Sequence, residues 1–177
     1  MHIIEYSLLV IGTLLLVLAT WRISLKAGRY HGLYRFVSFE SILVLFLLNW
    51  ASWFVDPMSI QQIVSWTLLT MSVVPVILGF RTLQLHGKAQ QQFENTRALV
   101  TSGIYKYIRH PMYLSLMLLG SGICLKNPGA LAVGLGIVNC LALVGTALQE
   151  ERELKEKFGL EYEAYMKVSK MFIPHAL

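Results

Sequence analysis

Charge is what this sequence has least of. Only 14% of its 177 residues are Asp, Glu, Lys or Arg, against about 25% in soluble globular domains, while 55% are hydrophobic. An ordinary water-soluble globule is excluded, and so is a disordered chain, which needs low hydrophobicity and high charge. The two cysteines, Cys124 and Cys140, both sit in apolar stretches, so there is neither a disulfide framework nor a ligand cluster spaced for zinc. No strand pattern is present and no G-x-G-x-x-G follows one, which removes the usual dinucleotide-binding fold. The remaining class is an integral membrane protein, all-α and built as a helical bundle.

Apolar runs of about 20 residues mark membrane helices. They predict spans near Ile3 to Thr20, Phe36 to Val55 and Ile60 to Phe80, then a close pair, Met112 to Leu125 and Asn127 to Leu148. Lys126-Asn127-Pro128-Gly129 is the only polar break in that pair, so it reads as a helical hairpin. The count is about five spans, the fourth of them short. A short span beside a polar segment suggests a cavity, because irregular backbone at membrane depth must be covered or line one. The first run lacks a basic n-region and a small-residue cleavage site, and is expected to remain in the mature chain.

The net charge of +5 follows the loops. Arg22, Lys26, Arg29 and Arg35 fall in the first; Arg81, Lys88, Arg97, Lys106 and Arg109 in the third; Arg152, Lys155, Lys157, Lys167 and Lys170 in the tail. Five spans put all of these on one side and leave Lys126 alone on the other. The positive-inside rule then predicts an extracytoplasmic N-terminus and a cytoplasmic C-terminus. Scattered along loop edges and not interleaved with aromatics, these charges do not describe a nucleic-acid surface.

Two segments concentrate the remaining polarity. Six of the ten acidic residues lie between Glu150 and Glu163. Glu151 with Lys155 and Glu153 with Lys157 are favourable i,i+4 pairs, so the fifth helix is expected to run on past the membrane and end at Gly159. A solvated helix extension accounts for the Lys and outer Glu residues. Glu150 and Glu151 fit it less well, because adjacent carboxylates at the bilayer edge repel each other and are costly to desolvate. The other segment is Leu99-Val100-Thr101-Ser102-Gly103-Ile104-Tyr105-Lys106-Tyr107-Ile108-Arg109-His110-Pro111-Met112-Tyr113. Ser102-Gly103 signals a turn, and Pro111 suits the first turn of the fourth helix. On local physics alone, Arg109 could equally be a membrane anchor, His110 a cap, and Tyr105, Tyr107 and Tyr113 an interfacial belt.

Taken together, the two segments resemble the isoprenylcysteine carboxyl methyltransferases and their phospholipid methyltransferase relatives. The matching pieces are Leu99-Val100-Thr101 with Gly103 and Tyr105, Arg109-His110-Pro111-Met112-Tyr113, and, after the hairpin, Glu150-Glu151, Phe158-Gly159, Tyr162, Tyr165 and Phe172-Ile173-Pro174. The resemblance covers about the last 80 residues. It implies one membrane domain, residues 1–177, with a three-span part (1–98) and a cofactor-binding part (99–177). It also implies S-adenosylmethionine held between the start of the fourth helix and the cytoplasmic end of the fifth. By motif position, Leu99, Val100, Gly103, Tyr105, His110, Pro111, Tyr113, Glu150, Glu151 and Tyr162 would bind that cofactor. The sulfonium and ammonium it carries are cations that carboxylates and aromatic faces can hold.

The expected reaction is an in-line methyl transfer in which positioning and desolvation dominate. The acceptor would be a membrane lipid or a prenylated, lipophilic molecule entering from the bilayer, with Arg109, Glu161 and Lys167 as its contacts. An amine or phenol acceptor would need a base, for which Glu151, Glu161 and His110 are the candidates; His110 and Glu151 form the catalytic pair in this reading. Two departures stand out. Ser115 replaces a glycine, and Val168-Ser169-Lys170 replaces a basic residue followed by Val-Pro. If that basic residue orients a carboxylate, its loss leaves the acceptor open, since a lysine nearby offers a point charge and not a fork. A membrane NADPH-dependent sterol-type reductase and a non-enzymatic membrane partner remain as alternatives.

Within the spans, Gly120-Ser121-Gly122 is expected to serve helix packing, Glu40 a structural role near the interface, and Pro75 to kink the third helix. His86-Gly87 is expected to end that helix's extension.

Overall fold

The computed structural model describes residues 3–27, 31–86 and 99–174. Arg29, Lys88 and Arg97, used above for orientation, lie outside the described residues, as does Gly87. Among those described there are six α-helices and no strand: α1 (Ile3–Ile23), α2 (His31–Asn49), α3 (Ile60–His86), α4 (Pro111–Cys124), α5 (Ala130–Phe158) and α6 (Leu160–Val168). The chain is a helical membrane bundle. Four helices, α1, α2, α3 and α5, are long and apolar enough to cross a bilayer. α3 runs through Pro75 without interruption.

The predicted fourth span falls short. α4 has 14 residues, which gives about 21 Å against a hydrocarbon core of about 30 Å. Its last carbonyls would be stranded in the membrane, but neighbouring side chains take them. Asn49 Nδ2 donates to Ile123 O at 2.9 Å, Ser65 Oγ to Gly122 O at 2.7 Å and Gln61 Nε2 to Leu125 O at 2.9 Å. Protein thus caps the end of the short span, and the site cavity opens at its other end, beside Pro111.

α5 has the opposite problem. It has 29 residues, and since about 20 suffice to cross, its last two turns project beyond the apolar layer from near Glu150 onward. It ends at Gly159, whose φ of +54° a residue with a Cβ adopts only at a cost. α6 then folds back beneath the bundle.

α3 lies along α4 and α2 along α5, whereas α1 packs mainly on α2 and buries none of its residues. One core cluster gathers Leu45, Leu69, Ile123, Cys124 and Ala132; a second, nearer the tail, gathers Tyr113, Leu143, Ala147 and Phe172. The helices meet at Asn139, which accepts from Ser38 Oγ at 2.7 Å. A Cβ on Gly120 would come within 2.3 Å of its amide nitrogen, so Gly120 serves close helix packing. Glu40 accepts from Thr13 Oγ1 at 2.6 Å, tying α1 to α2.

Candidate active site

Two helix ends and a folded-back tail assemble the site. His110 is the N-cap of α4 and Pro111 its first residue, a position where the missing N–H costs nothing. The segment before it is held from the tail: Arg109 N donates to Lys170 O at 2.8 Å, His110 N to Met171 O at 3.1 Å and Lys170 N to Tyr107 O at 3.0 Å. Tyr165 Oη adds a 2.6 Å hydrogen bond to Tyr105 O. Gly103, with φ +58°, lets the preceding turn lie against α3, where a Cβ would come within 2.5 Å of Thr82 Oγ1.

This frame brings Arg109 and His110 onto the projecting end of α5. Arg109 Nε donates to Glu151 Oε1 at 2.7 Å, and its Nη1 donates to Ser169 O. His110 sits between the two acids, with Nε2 3.2 Å from Glu151 Oε1 and Nδ1 3.4 Å from Glu150 Oε2. Burial alone would lower the His110 pKa. The hydrogen bonds and charges of Glu150 and Glu151 outweigh it and hold the imidazole above its ordinary value. Both ring nitrogens facing carboxylates is also the arrangement that imidazolium, with two N–H donors, satisfies.

The adjacent acids then have different surroundings. Glu151, with its side chain 6% exposed, is enclosed by Arg109 and His110. Glu150, at 27%, reaches a cavity of about 550 Å³, within the range of small-molecule sites. Its wall combines Leu99, Val100, Tyr105, Arg109, His110, Pro111, Tyr113 and Ser115 with Glu150, Tyr162 and Tyr165, and is completed by residues of α1, α2 and α3. His110 and Tyr113 stack with centroids 5.4 Å apart.

Tyr162 is 1% exposed, and its hydroxyl has no hydrogen-bond partner among the described residues. A buried orphan hydroxyl is costly, and here it belongs to a side chain on the cavity wall, so a ligand with a polar atom would satisfy it. Burial raises the pKa of Tyr105, Tyr162 and Tyr165, the last to about 12. All three stay neutral donors near neutral pH. An acidic group, aromatic faces and an orphan donor around one cavity fit a cationic, polyfunctional ligand such as S-adenosylmethionine.

The sequence-predicted residues separate accordingly. Leu99, Val100, Tyr105, Arg109, His110, Pro111, Tyr113, Glu150 and Tyr162 all line the cavity. Gly103 and Glu151 stand behind it, shaping the turn and holding Arg109 with His110. Glu161 and Lys167 are not brought to it: both are exposed and neither lines the cavity. Ser115 keeps its side chain small and donates its hydroxyl to Ser72 O. Sequence reasoning missed the contribution of α1 and α2, where Leu16, Thr20, Arg35 and Phe39 join the wall; Arg35 carries no local signal that separates it from an ordinary loop cation.

Comparison with known proteins gives two matches. The sequence model described as phospholipid methyltransferase matches residues 60–161. A protein-S-isoprenylcysteine O-methyltransferase of Dictyostelium discoideum is 25% identical over 134 residues, which is 72% of this chain and 56% of that protein. This chain therefore spans little more than half the length of that relative. No solved structure matches.

Proposed function

Because this chain belongs to the phospholipid methyltransferase family, we propose that it transfers a methyl group from S-adenosylmethionine to a lipophilic acceptor at the membrane, in the manner of an isoprenylcysteine carboxyl methyltransferase. The observation that carries the reading is Glu150, an acid on the cavity wall whose neighbour Glu151 is already taken by Arg109 and His110. When bound, S-adenosylmethionine supplies an electrophilic methyl on a positively charged sulfur.

Glu150 holds the cationic end of the cofactor, with His110 and Tyr113 as the flat wall beside it. Tyr162 donates its hydroxyl to a polar atom of the ligand. Glu151 is a positioning residue that fixes Arg109 and His110. Against the effect of burial, Glu150 and Glu151 hold the His110 pKa above its ordinary value, which makes the imidazole less available as a free base, and Glu151 is enclosed. An acceptor that arrives ionised, such as a carboxylate, needs no base, and its methylation moves no proton; this supports O-methylation.

We place the cavity on the cytoplasmic side. The described basic residues other than Lys126 surround that end of the bundle, in keeping with the positive-inside rule.

The test is transfer of radiolabelled methyl from S-adenosylmethionine by purified protein in lipid nanodiscs, offered total membrane lipid and a small prenylcysteine panel. A labelled lipophilic product is expected. Binding of NADPH in place of S-adenosylmethionine would replace this reading with that of a reductase.

A further inference from the structure

Resting on that reading, the placement of Glu150 depends on what holds the projecting end of α5. No residue of that helix after Glu151 is buried, so packing alone does not fix it, whereas a working contact must be held to within about 0.5 Å. From one side, Arg109 and His110 take Glu151 and Glu150. From the other side comes His31, the first residue of α2, which is 2% exposed. Its Nδ1 lies 2.9 Å from Glu153 Oε1. A carboxylate only accepts, so Nδ1 carries a proton and donates it. Nε2 is buried with no hydrogen-bond partner among the described residues. Among those residues Glu153 is thus the polar partner that offsets the burial of this ring, a burial that costs free energy when unmatched.

Glu153 follows Glu150 by three residues, which makes the two carboxylates neighbours on one flank of α5. His31 acts on Glu150 as well. Burial alone would raise the Glu150 pKa; the hydrogen bond and charge of His110, a hydrogen bond from Tyr113 and the charge of His31 outweigh it and hold the carboxyl below its ordinary value. Within the membrane α2 already lies close along α5. A Cβ on Gly145 would come within 3.0 Å of Tyr34, and Ser38 Oγ donates to Asn139 Oδ1 at 2.7 Å. His31 continues this antiparallel pairing onto the turns outside the apolar layer. It belongs to a part of the chain that the phospholipid methyltransferase model does not match.

We propose that His31 is a positioning residue of the cofactor site: through Glu153 it fastens the projecting end of α5 to α2 and so fixes where Glu150 meets the cationic end of S-adenosylmethionine. Two histidines from different helices then clamp one acidic helix end, His110 from α4 and His31 from α2, each with Nδ1 toward a carboxylate. Neither His31 nor Glu153 lines the cavity. Glu150 binds, and the His31–Glu153 pair holds it in place.

The experiment compares wild type with His31→Leu, His31→Asn, Glu153→Ala, the double variant H31L/E153A and Glu156→Ala, all in lipid nanodiscs. Each is titrated calorimetrically with S-adenosylmethionine and with 5′-methylthioadenosine, which carries the adenosine and no cation. Hydrogen exchange is followed over residues 150–158. H31L should weaken S-adenosylmethionine binding about five- to tenfold, the range of one hydrogen bond, and change 5′-methylthioadenosine binding by less than about twofold. H31N puts an amide donor at the place of Nδ1 and should return affinity for S-adenosylmethionine to within about twofold of wild type. E153A should match H31L, and the double variant should be no weaker than either, because partners in one interaction do not add. Exchange over 150–158 should quicken in H31L and E153A. E156A removes an exposed acid one turn further on and should leave affinity unchanged. Glu153 is partly exposed, so E153A carries the test if H31L does not fold.

The proposal alone is overturned if wild type, H31L and E153A bind S-adenosylmethionine alike, if 5′-methylthioadenosine loses as much affinity as S-adenosylmethionine, if H31N binds as weakly as H31L, or if the losses in H31L and E153A add. Wild type that binds no S-adenosylmethionine overturns methyl transfer and the proposal together; faster exchange in H31L would then leave His31 as a tie on α5 with no cofactor to serve.

Discussion

Buried charge occurs at both ends of the bundle, and the two ends use it differently. At the candidate site, Arg109, His110, Glu150 and Glu151 form a connected set of opposite charges against a cavity. At the other end Lys126 is 2% exposed and has no carboxylate partner among the described residues. Its ammonium lies 3.7 Å from the Trp66 ring centroid and 5.4 Å from that of Trp53 and donates to Gln62 Oε1 at 3.0 Å. Aromatic faces and one amide hold it, as expected for a desolvated cation–π contact. Burial of charge by itself therefore marks no site. A connected set of charges that opens on a cavity does.

The largest expected effect separates the two ends directly. Glu150→Gln should lower S-adenosylmethionine affinity and methyl transfer by about a hundredfold, the scale of a buried charge-assisted contact, with a modest fall in the thermal midpoint from the lost pair with His110. Lys126→Met should act on stability alone. It strands Gln62 Oε1, which costs about 1–3 kcal/mol, and it should lower the thermal midpoint while leaving cofactor affinity within about twofold. Calorimetry and nanodisc melting curves read both; a K126M protein with lost cofactor affinity would break the contrast.

A smaller effect follows from His110. Its pKa is raised in the folded chain, so its ion pairs contribute fully below the unfolded value near 6.5 and are lost as pH rises through the higher folded value. The thermal midpoint should fall as pH rises above 6.5, and the slope should flatten in His110→Gln. A slope unchanged in that variant would remove His110 as its source.

Tyr162→Phe should act on ligand and not on fold. The hydroxyl has no partner to lose among the described residues, so the melting curve should stay or rise slightly while cofactor affinity drops about three- to tenfold. A destabilised Y162F protein would show that the hydroxyl has a structural partner. The smallest effect belongs to the exposed face of α6, where Glu161→Gln and Lys167→Ala should leave affinity and turnover within about twofold; a tenfold loss in either would return that face to the site.

What could be read from the sequence divides along physical lines. Helix existence was legible because membrane helices are long unbroken apolar runs, and the ends of α4 and α5 because Pro111 and Gly159 are strong punctuation. Lys126 read as an interfacial loop charge, because nothing local reveals that Trp53, Trp66 and Gln62 converge on it from α3 and the turn before it. The adjacent Glu150 and Glu151 read alike, yet successive helical residues point about 100° apart, and only packing decides which one faces the cavity. Arg35 was invisible for the same reason, since its place on the wall depends on how α2 lies against α5 and α4.

The most direct test of the central claim is calorimetric titration of S-adenosylmethionine into wild type, E150Q and K126M proteins in nanodiscs. Saturable one-site binding to wild type, near-complete loss in E150Q and retention in K126M are expected. Equal affinity of wild type and E150Q, or no binding by wild type, would contradict it.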